Sequence, residues 1–247
     1  MKRYFNWQIM FGLVLIALSA TFYYIHYVIF RDIHHIILYL VGDLAFVFVQ
    51  VLLVTLVLEQ FLQYREKKAL LNKLNMVIGA FFSEVGTDLL KRFPTFDKDA
   101  SQISGQLVMT KDWSQSEFSK VRNIVKNHQF NVDSSLGDLE SLKNFLKDKR
   151  PFLLRLLENP NLLEHETFTN LLWAVFHLTE ELLHRKNLKD LPQADYNHLA
   201  QDIKRVYNLL IIEWLYYMAH LKDKYPYLFS LAMRTNPFDA AASVEIR

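Results

Sequence analysis

Two unbroken apolar runs open the chain, and beyond about residue 65 the pattern changes to apolar stripes at helical spacing. From Ile9 to Phe30 the only polar groups are Ser19, Thr21, His26 and tyrosine hydroxyls. As a helix of about 22 residues this run measures about 33 Å, enough to cross the hydrocarbon core of a bilayer. A second run, Ile36 to Leu58, carries Asp43, Gln50 and Thr55. The first run is too long for a signal peptide, and no small-residue cleavage site separates it from the second. The pattern predicts a two-helix transmembrane hairpin joined by Arg31-Asp32-Ile33-His34-His35.

No breaker follows Leu58, so the second helix is expected to continue past Glu59 and Gln63. Leu70, Leu74, Val77, Ile78, Phe81, Val85 and Leu89 then recur at helical spacing, which predicts a core helix ended by Phe93-Pro94. Residues 94–112 hold Pro94, Ser101, Ser104 and Gly105 with few large apolar groups, and read as a linker loop. Ser114 with Glu117 makes a capping-box pattern before a helix with Phe118, Val121, Ile124 and Val125 on its buried face. Ser135 is read as opening a further helix, with Leu136, Leu139, Leu142, Phe145 and Leu146 on one side, broken at Pro151. Asn159-Pro160 is read as the start of a long helix to about Arg185, and the apolar run Leu171 to Phe176 predicts deep burial. After a loop through Pro192 a last long helix runs from Asp195 to about Lys224. A short turn at Tyr225–Arg234 and a tail from Asn236-Pro237 close the chain.

The fold class expected is therefore all-α: an N-terminal two-helix transmembrane hairpin followed by a cytoplasmic multi-helix bundle. The divisions are 1–64 hairpin, 65–93 juxtamembrane helix, 94–112 linker loop, 113–235 bundle and 236–247 tail. With 6 glycines and 6 prolines in 247 residues, the composition agrees with long helices. A net charge of +2 and the lack of any recognition motif argue against a nucleic-acid partner. Cysteine is absent, which removes disulfides, thiolate catalysis and Cys-based metal sites. Charge matters most at the flanks. Lys2 and Arg3 precede the first span, and Arg65, Lys67, Lys68 and Lys73 follow the second, against Arg31 alone in the turn. The positive-inside bias puts both termini in the cytoplasm.

Within the spans, Gly12, Ser19 and His26 recur every seven residues, and Asp43 and Gln50 share that spacing. His26, Asp43, Gln50 and Ser19 are thus the candidate intramembrane polar residues. They serve either as interhelical glue or as an ion path, because lipid offers polar groups no partner. A third reading starts the second helix at Gly42-Asp43, with Asp43 as its N-cap.

In the remainder, the densest ionisable cluster lies where the last two long helices meet. His177, Glu181 and His184 fall at i, i+4 and i+7 on one helix, and Asp195, His198 and Asp202 at i, i+3 and i+7 on the next. Glu181 and His184 have the Glu-x-x-His spacing of carboxylate-bridged dimetal bundles, which makes His177, Glu181, His184, Asp195 and His198 the candidate metal ligands. Against this, a helical wheel sets His177, Glu181 and His184 opposite the stripe of Leu171, Val175, Leu178 and Leu182, where polar groups are solvated. Glu213, inside Leu209-Leu210-Ile211-Ile212-Glu213-Trp214-Leu215, is the candidate buried carboxylate, either paired with an arginine such as Arg155 or Arg205 or standing in a pocket as a carboxyl with a raised pKa.

His165-Glu166 followed by Thr169-Asn170 resembles the phosphoacceptor helix of sensor histidine kinases over about six residues. The glycine-rich ATP-binding domain of such kinases is absent, so the resemblance implies at most a phosphorelay role. No Walker-type phosphate loop, dinucleotide glycine fingerprint or Gly-x-Ser-x-Gly elbow occurs. The chain reads first as a non-enzymatic, self-associating, membrane-tethered module that presents its helical domain to a cytoplasmic protein. The alternatives are a small oligomeric ion channel and a metal-dependent enzyme. No cofactor is predicted; a transition metal belongs to the last alternative. The partners expected are the lipid bilayer, further copies of the chain and a cytoplasmic protein.

Overall fold

The computed structural model describes residues 2–160, 162 and 165–245. Nine α-helices are present among them: α1 Lys2–Phe30, α2 Ile33–Phe81, α3 Thr87–Arg92, α4 Ala100–Leu107, α5 Gln115–Asn127, α6 Leu139–Leu157, α7 Glu166–His184, α8 Gln193–Lys224 and α9 Pro226–Arg234. No strand occurs among the described residues; one isolated antiparallel bridge joins Asp97 and Val132. The fold is all-helical, as the patterning predicts. It divides into two compact units, Met1–Glu66 and Lys67–Arg247, and the second takes in the linker and tail read from sequence and all but the first two residues of the juxtamembrane helix.

In the first unit, α1 and α2 are separated only by Arg31 and Asp32. Arg31 adopts the left-handed conformation (φ 52°) and its N–H donates to the Tyr27 carbonyl, closing α1. Asp32 Oδ1 accepts from the N–H groups of His34 and His35 and caps α2. The second helix therefore starts at Ile33, three residues before the apolar run read from sequence. The alternative start with Asp43 as N-cap is overturned, because Asp43 lies more than two turns inside α2. Two stretches, Ile9–Phe30 and Ile33–Lys67, are long and apolar enough to cross a membrane by length and composition.

In the second unit the stripe read along residues 70–89 packs as expected: Leu74, Ile78, Phe81, Val85 and Leu89 are buried. Leu70 falls outside the residues whose side chains are described. Between α2 and α3 the chain makes one wide turn of π-helix, Phe82–Gly86. A Cβ on Gly86 would lie 2.5 Å from the Phe82 ring, so this position needs glycine. Phe81 meets Phe168 edge-on at 5.3 Å, and Phe82 stacks on Tyr217 at 5.3 Å, tying this segment to α7 and α8. α8 carries buried residues from Leu199 to Leu221 and forms the centre of the unit, with α5, α7 and α9 packed against it.

Several boundaries differ from the sequence reading, each for a physical reason. The linker 94–112 contains α4, because Ile103 and Leu107 bury one face of a helix with only two apolar anchors, too few to read as a stripe. α6 begins at Leu139, where Asp138 accepts from Ser141 N–H; Ser135 belongs to the turn before it, and Leu136 is exposed. Pro151 does not break α6: it lies on the exposed face, where the carbonyl that loses its partner is open to water. α7 begins at Glu166 rather than at Asn159-Pro160; Asn161, Leu163 and Glu164 of that stretch lie outside the described residues. Within the apolar run of α7, Leu171, Leu172, Ala174 and Val175 are buried but Trp173 is 57% exposed, since a helix at the edge of a bundle keeps one outer face. The tail from Asn236 is anchored. Asn236 donates its side-chain amide to the Leu107 carbonyl, and Phe238 packs on Trp214 at 5.2 Å.

The capping box at α5 is complete: Ser114 Oγ accepts from Glu117 N–H, and the Glu117 carboxylate accepts from Ser114 N–H. Ser114→Ala is expected to cost about 1 kcal/mol, read as a lowered urea midpoint with an unchanged slope.

Candidate functional site

α7 and α8 run side by side and are joined by residues 185–192, so the C-terminal end of α7 lies beside the N-terminal end of α8. On α7, His177 and Glu181 are one turn apart; on α8, so are His198 and Asp202. The two pairs face each other. His177 Nε2 and His198 Nε2 each lie 3.4 Å from Asp202 Oδ2. Glu181 closes the ring, at 3.8 Å from His177 and 3.5 Å from His198.

Two arginines fix the carboxylates. Arg185, the C-cap of α7, donates through Nη1 to Glu181 Oε2 at 2.7 Å and through Nε and Nη2 to both Asp195 oxygens at 3.0 and 2.6 Å. Its own carbonyl accepts from Lys143 Nζ of α6. The Arg185 hydrogen bond holds the carboxyl of Glu181 below the usual glutamate range, and does the same for Asp195. Arg205 donates to Asp202 Oδ1 at 3.0 Å. Asp202 Oδ2 remains buried and accepts no hydrogen bond.

Of the five metal-ligand candidates from sequence, His177, Glu181 and His198 converge. His184 and Asp195 do not: His184 hydrogen-bonds the Glu180 carbonyl through Nδ1, and Asp195 is held by Arg185. The Glu-x-x-His pair Glu181 and His184 is therefore not brought together at this cluster. The i, i+4 pairs were the usable signal, because residues four apart on a helix share a face. Asp202 completes the group. The helical wheel placed His177 and Glu181 on a solvated face; the structure corrects this in part. That face borders α8, and Glu181 is largely covered while His177 keeps about half its surface.

Glu213 is buried, but the arginine pairing read from sequence is not what the structure describes. Arg205 pairs with Asp202; Glu213 Oε2 accepts from Thr167 Oγ1 at 3.0 Å, and His165 Nε2 lies 3.8 Å from Oε1. Burial pushes the Glu213 carboxyl up to about 7, against the opposing pull of the Thr167 hydrogen bond. Burial pushes His165 the other way, toward the neutral imidazole. His165 is the N-cap of α7, with Nδ1 accepting from Phe168 N–H. A phosphoacceptor histidine projects from a helix face, whereas both ring nitrogens here turn inward to the helix end and to Glu213.

In the first unit, Ser19, His26 and Asp43 line one open groove between α1 and α2, together with Tyr23, His35 and Tyr39. Gln50 does not line it. No hydrogen bond or ion pair joins His26 to Asp43 among the described residues, and His26 Nδ1 is buried without a partner. The His26 ring lies against those of Phe30 and His35.

Two family models match, one for each unit: the N-terminal helical domain of MJ1433 over residues 2–62 and the C-terminal helical domain of the uncharacterized protein MJ1433 over residues 70–234. The uncharacterized protein MJ1433 of Methanocaldococcus jannaschii is 48% identical over 238 residues, covering 96% of this chain and 94% of that protein. The chain belongs to the MJ1433 family. No solved structure matches it. The gap between the two family domains falls at residues 63–69, where the chain passes from one compact unit to the other. Both family domains are described as helical, in agreement with the helices found here.

Proposed function

We propose that this MJ1433-family chain is a membrane-tethered helical module. In this reading α1 and the first part of α2 cross the bilayer as a hairpin, and both termini lie in the cytoplasm. Copies associate through the spans, and the unit Lys67–Arg247 is offered to a cytoplasmic protein partner.

One observation carries the tether. In the most apolar windows of Ile9–Phe30 and Ile33–Lys67 no residue is buried. A soluble core helix of the same composition would be covered by its neighbours. Each large apolar side chain left in water forgoes about 1.5–3 kcal/mol, so two whole helices of them call for an apolar solvent. The basic flanks Arg65, Lys67, Lys68 and Lys73 supply the orientation.

The groove between α1 and α2 supports self-association. Ser19, His26 and Asp43 sit in an otherwise oily pair of helices without bonding each other, and hydrocarbon leaves such groups unsatisfied. A Cβ added at Gly12 or Gly42 would meet nothing within 4 Å, so both small residues have open space beside them. That space is what a closely approaching helix uses, and a second copy brings the same polar groups in return.

The full-length protein is expected to pellet with membranes, to resist alkaline carbonate extraction and to appear as a dimer or larger by native mass spectrometry in detergent. Asp43→Leu is expected to shift the distribution toward monomer. Full-length protein recovered in the supernatant without detergent would overturn the tether. Monomer at every concentration, from protein that does pellet, would overturn only the self-association.

A further inference from the structure

The α7–α8 cluster has the dimensions of a coordination sphere. A tetrahedral site with metal–ligand bonds of about 2.0–2.1 Å has ligand–ligand edges of roughly 3.4 Å. Two of the edges among His177, His198 and Asp202, those from each imidazole Nε2 to Asp202 Oδ2, measure 3.4 Å. The ligand atoms of His177, His198 and Asp202 all lie within 4.8 Å of one another. We propose that His177, His198 and Asp202 bind one divalent transition-metal ion, with zinc as the reference ion, and that the ion staples α7 to α8.

The hydrogen-bond pattern argues for a missing centre. Asp202 is 2% exposed, and its Oδ2 accepts nothing. Two imidazole nitrogens lie 3.4 Å from that oxygen, beyond the 2.7–3.2 Å of an N–H···O bond. A buried carboxylate oxygen without a partner is costly, and two histidines set just too far away do not relieve it. A cation placed between the three atoms satisfies all of them.

The surroundings suit such an ion. Arg205 takes Oδ1 of Asp202 and so turns Oδ2 toward the histidines. Arg185 takes Oε2 of Glu181, the oxygen nearer His198, and holds this carboxylate beside the three ligands. Outer partners of this kind orient ligating groups. Two imidazoles with one carboxylate oxygen favour zinc and its first-row neighbours over magnesium or calcium, which take oxygen ligands. His177 and His198 are about half exposed, which provides the route of entry. Three protein ligands leave the fourth position of a tetrahedral ion to water. The site lies wholly within the unit Lys67–Arg247 and does not depend on the membrane reading.

The test uses tag-free, full-length protein in mild detergent, stripped with a chelator and titrated with zinc chloride by calorimetry. Cobalt(II) serves as a spectroscopic probe of four-coordinate geometry. One equivalent of zinc is expected to bind and to raise the thermal midpoint, and cobalt(II) is expected to give the strong visible absorption of a tetrahedral site. His177→Ala and His198→Ala should each weaken binding about tenfold or more, while His184→Ala, an exposed histidine seven residues along α7 from His177, should bind as the native chain does. Both site histidines are half exposed, so circular dichroism should show these variants folded; His177→Gln serves if His177→Ala is not. Zinc binding far below one equivalent, equal binding by the site variants, or equal loss in His184→Ala would each mean an adventitious ion only and overturn the proposal.

Discussion

Glu213→Gln is expected to stabilise the protein by about 3 kcal/mol at about pH 8 and to change it little near pH 4. Glu213 is 1% exposed, among the apolar residues of α8, and its one described hydrogen bond comes from Thr167. Burial raises its carboxyl to about 7 from 4.5. Between those values the folded chain holds a proton that the unfolded chain has released. Stability at this group is therefore complete below about 4.5 and is lost as the pH rises through about 7, after which the deficit stays constant. Glutamine keeps the shape and the Thr167 contact but cannot ionise. His165, whose neutral form burial favours, contributes in the opposite direction as the pH rises toward its ordinary value. It is present in both chains, so the difference between them isolates Glu213. Urea unfolding across this pH range is the measurement. Parallel stability curves for the two chains would show that Glu213 ionises without cost, and that the site is wetter than its burial implies.

Arg185→Ala is expected to cost about 2 kcal/mol, and Arg185→Lys to recover less than half of the loss. One guanidinium ties three things together: the Glu181 carboxylate, the last-turn carbonyl of the same residue, and both oxygens of Asp195 in the first turn of α8. Arg185 is largely covered, at 16% side-chain exposure, while its two acidic partners are near 30%; the partial exposure keeps the estimate well under that of a fully buried pair. Lysine offers a single ammonium in place of the planar fork and cannot reach both acids in this geometry. The loss should be local first, with amide exchange speeding up in residues 185–192 before the rest of α7 and α8. A variant within about 0.5 kcal/mol of the native chain would show that the surface ends of the two helices are held by packing alone.

The helices that were legible in the sequence are those with a continuous apolar period. The stripe from Leu74 to Leu89, the face of α5 behind its capping box, and the long α8 all follow from residue spacing, since a 3.6-residue repeat leaves one face to be buried. Elements of low apolar density were not legible. α4 rests on Ile103 and Leu107, and the anchoring of the tail rests on Asn236 reaching the Leu107 carbonyl, 129 residues away. Local rules also misjudged places where solvent or a neighbour supplies the compensation. Pro151 is carried inside α6 because the carbonyl it orphans faces water, and His165 leaves the face of α7 because the helix needs a cap there.

The candidate site divides in the same way. That His177 and Glu181 share one helix face, and His198 and Asp202 another, is a matter of spacing and can be read from the chain alone. Which face meets which depends on how far one helix is shifted along the other and rotated about its axis, and interdigitation of core side chains decides that. The shift found here puts Asp202 rather than Asp195 between the histidines, and gives Asp195 to Arg185. It also sets Glu213 beside Thr167 and His165, with Arg205 beside Asp202. Residue order alone thus determined the all-helical class, the two apolar N-terminal helices, the cap of α5 and the membership of each polar face. The tertiary structure decided the pairings across helices, because contacts between distant segments are set by packing of the whole core and leave no period in the sequence to read.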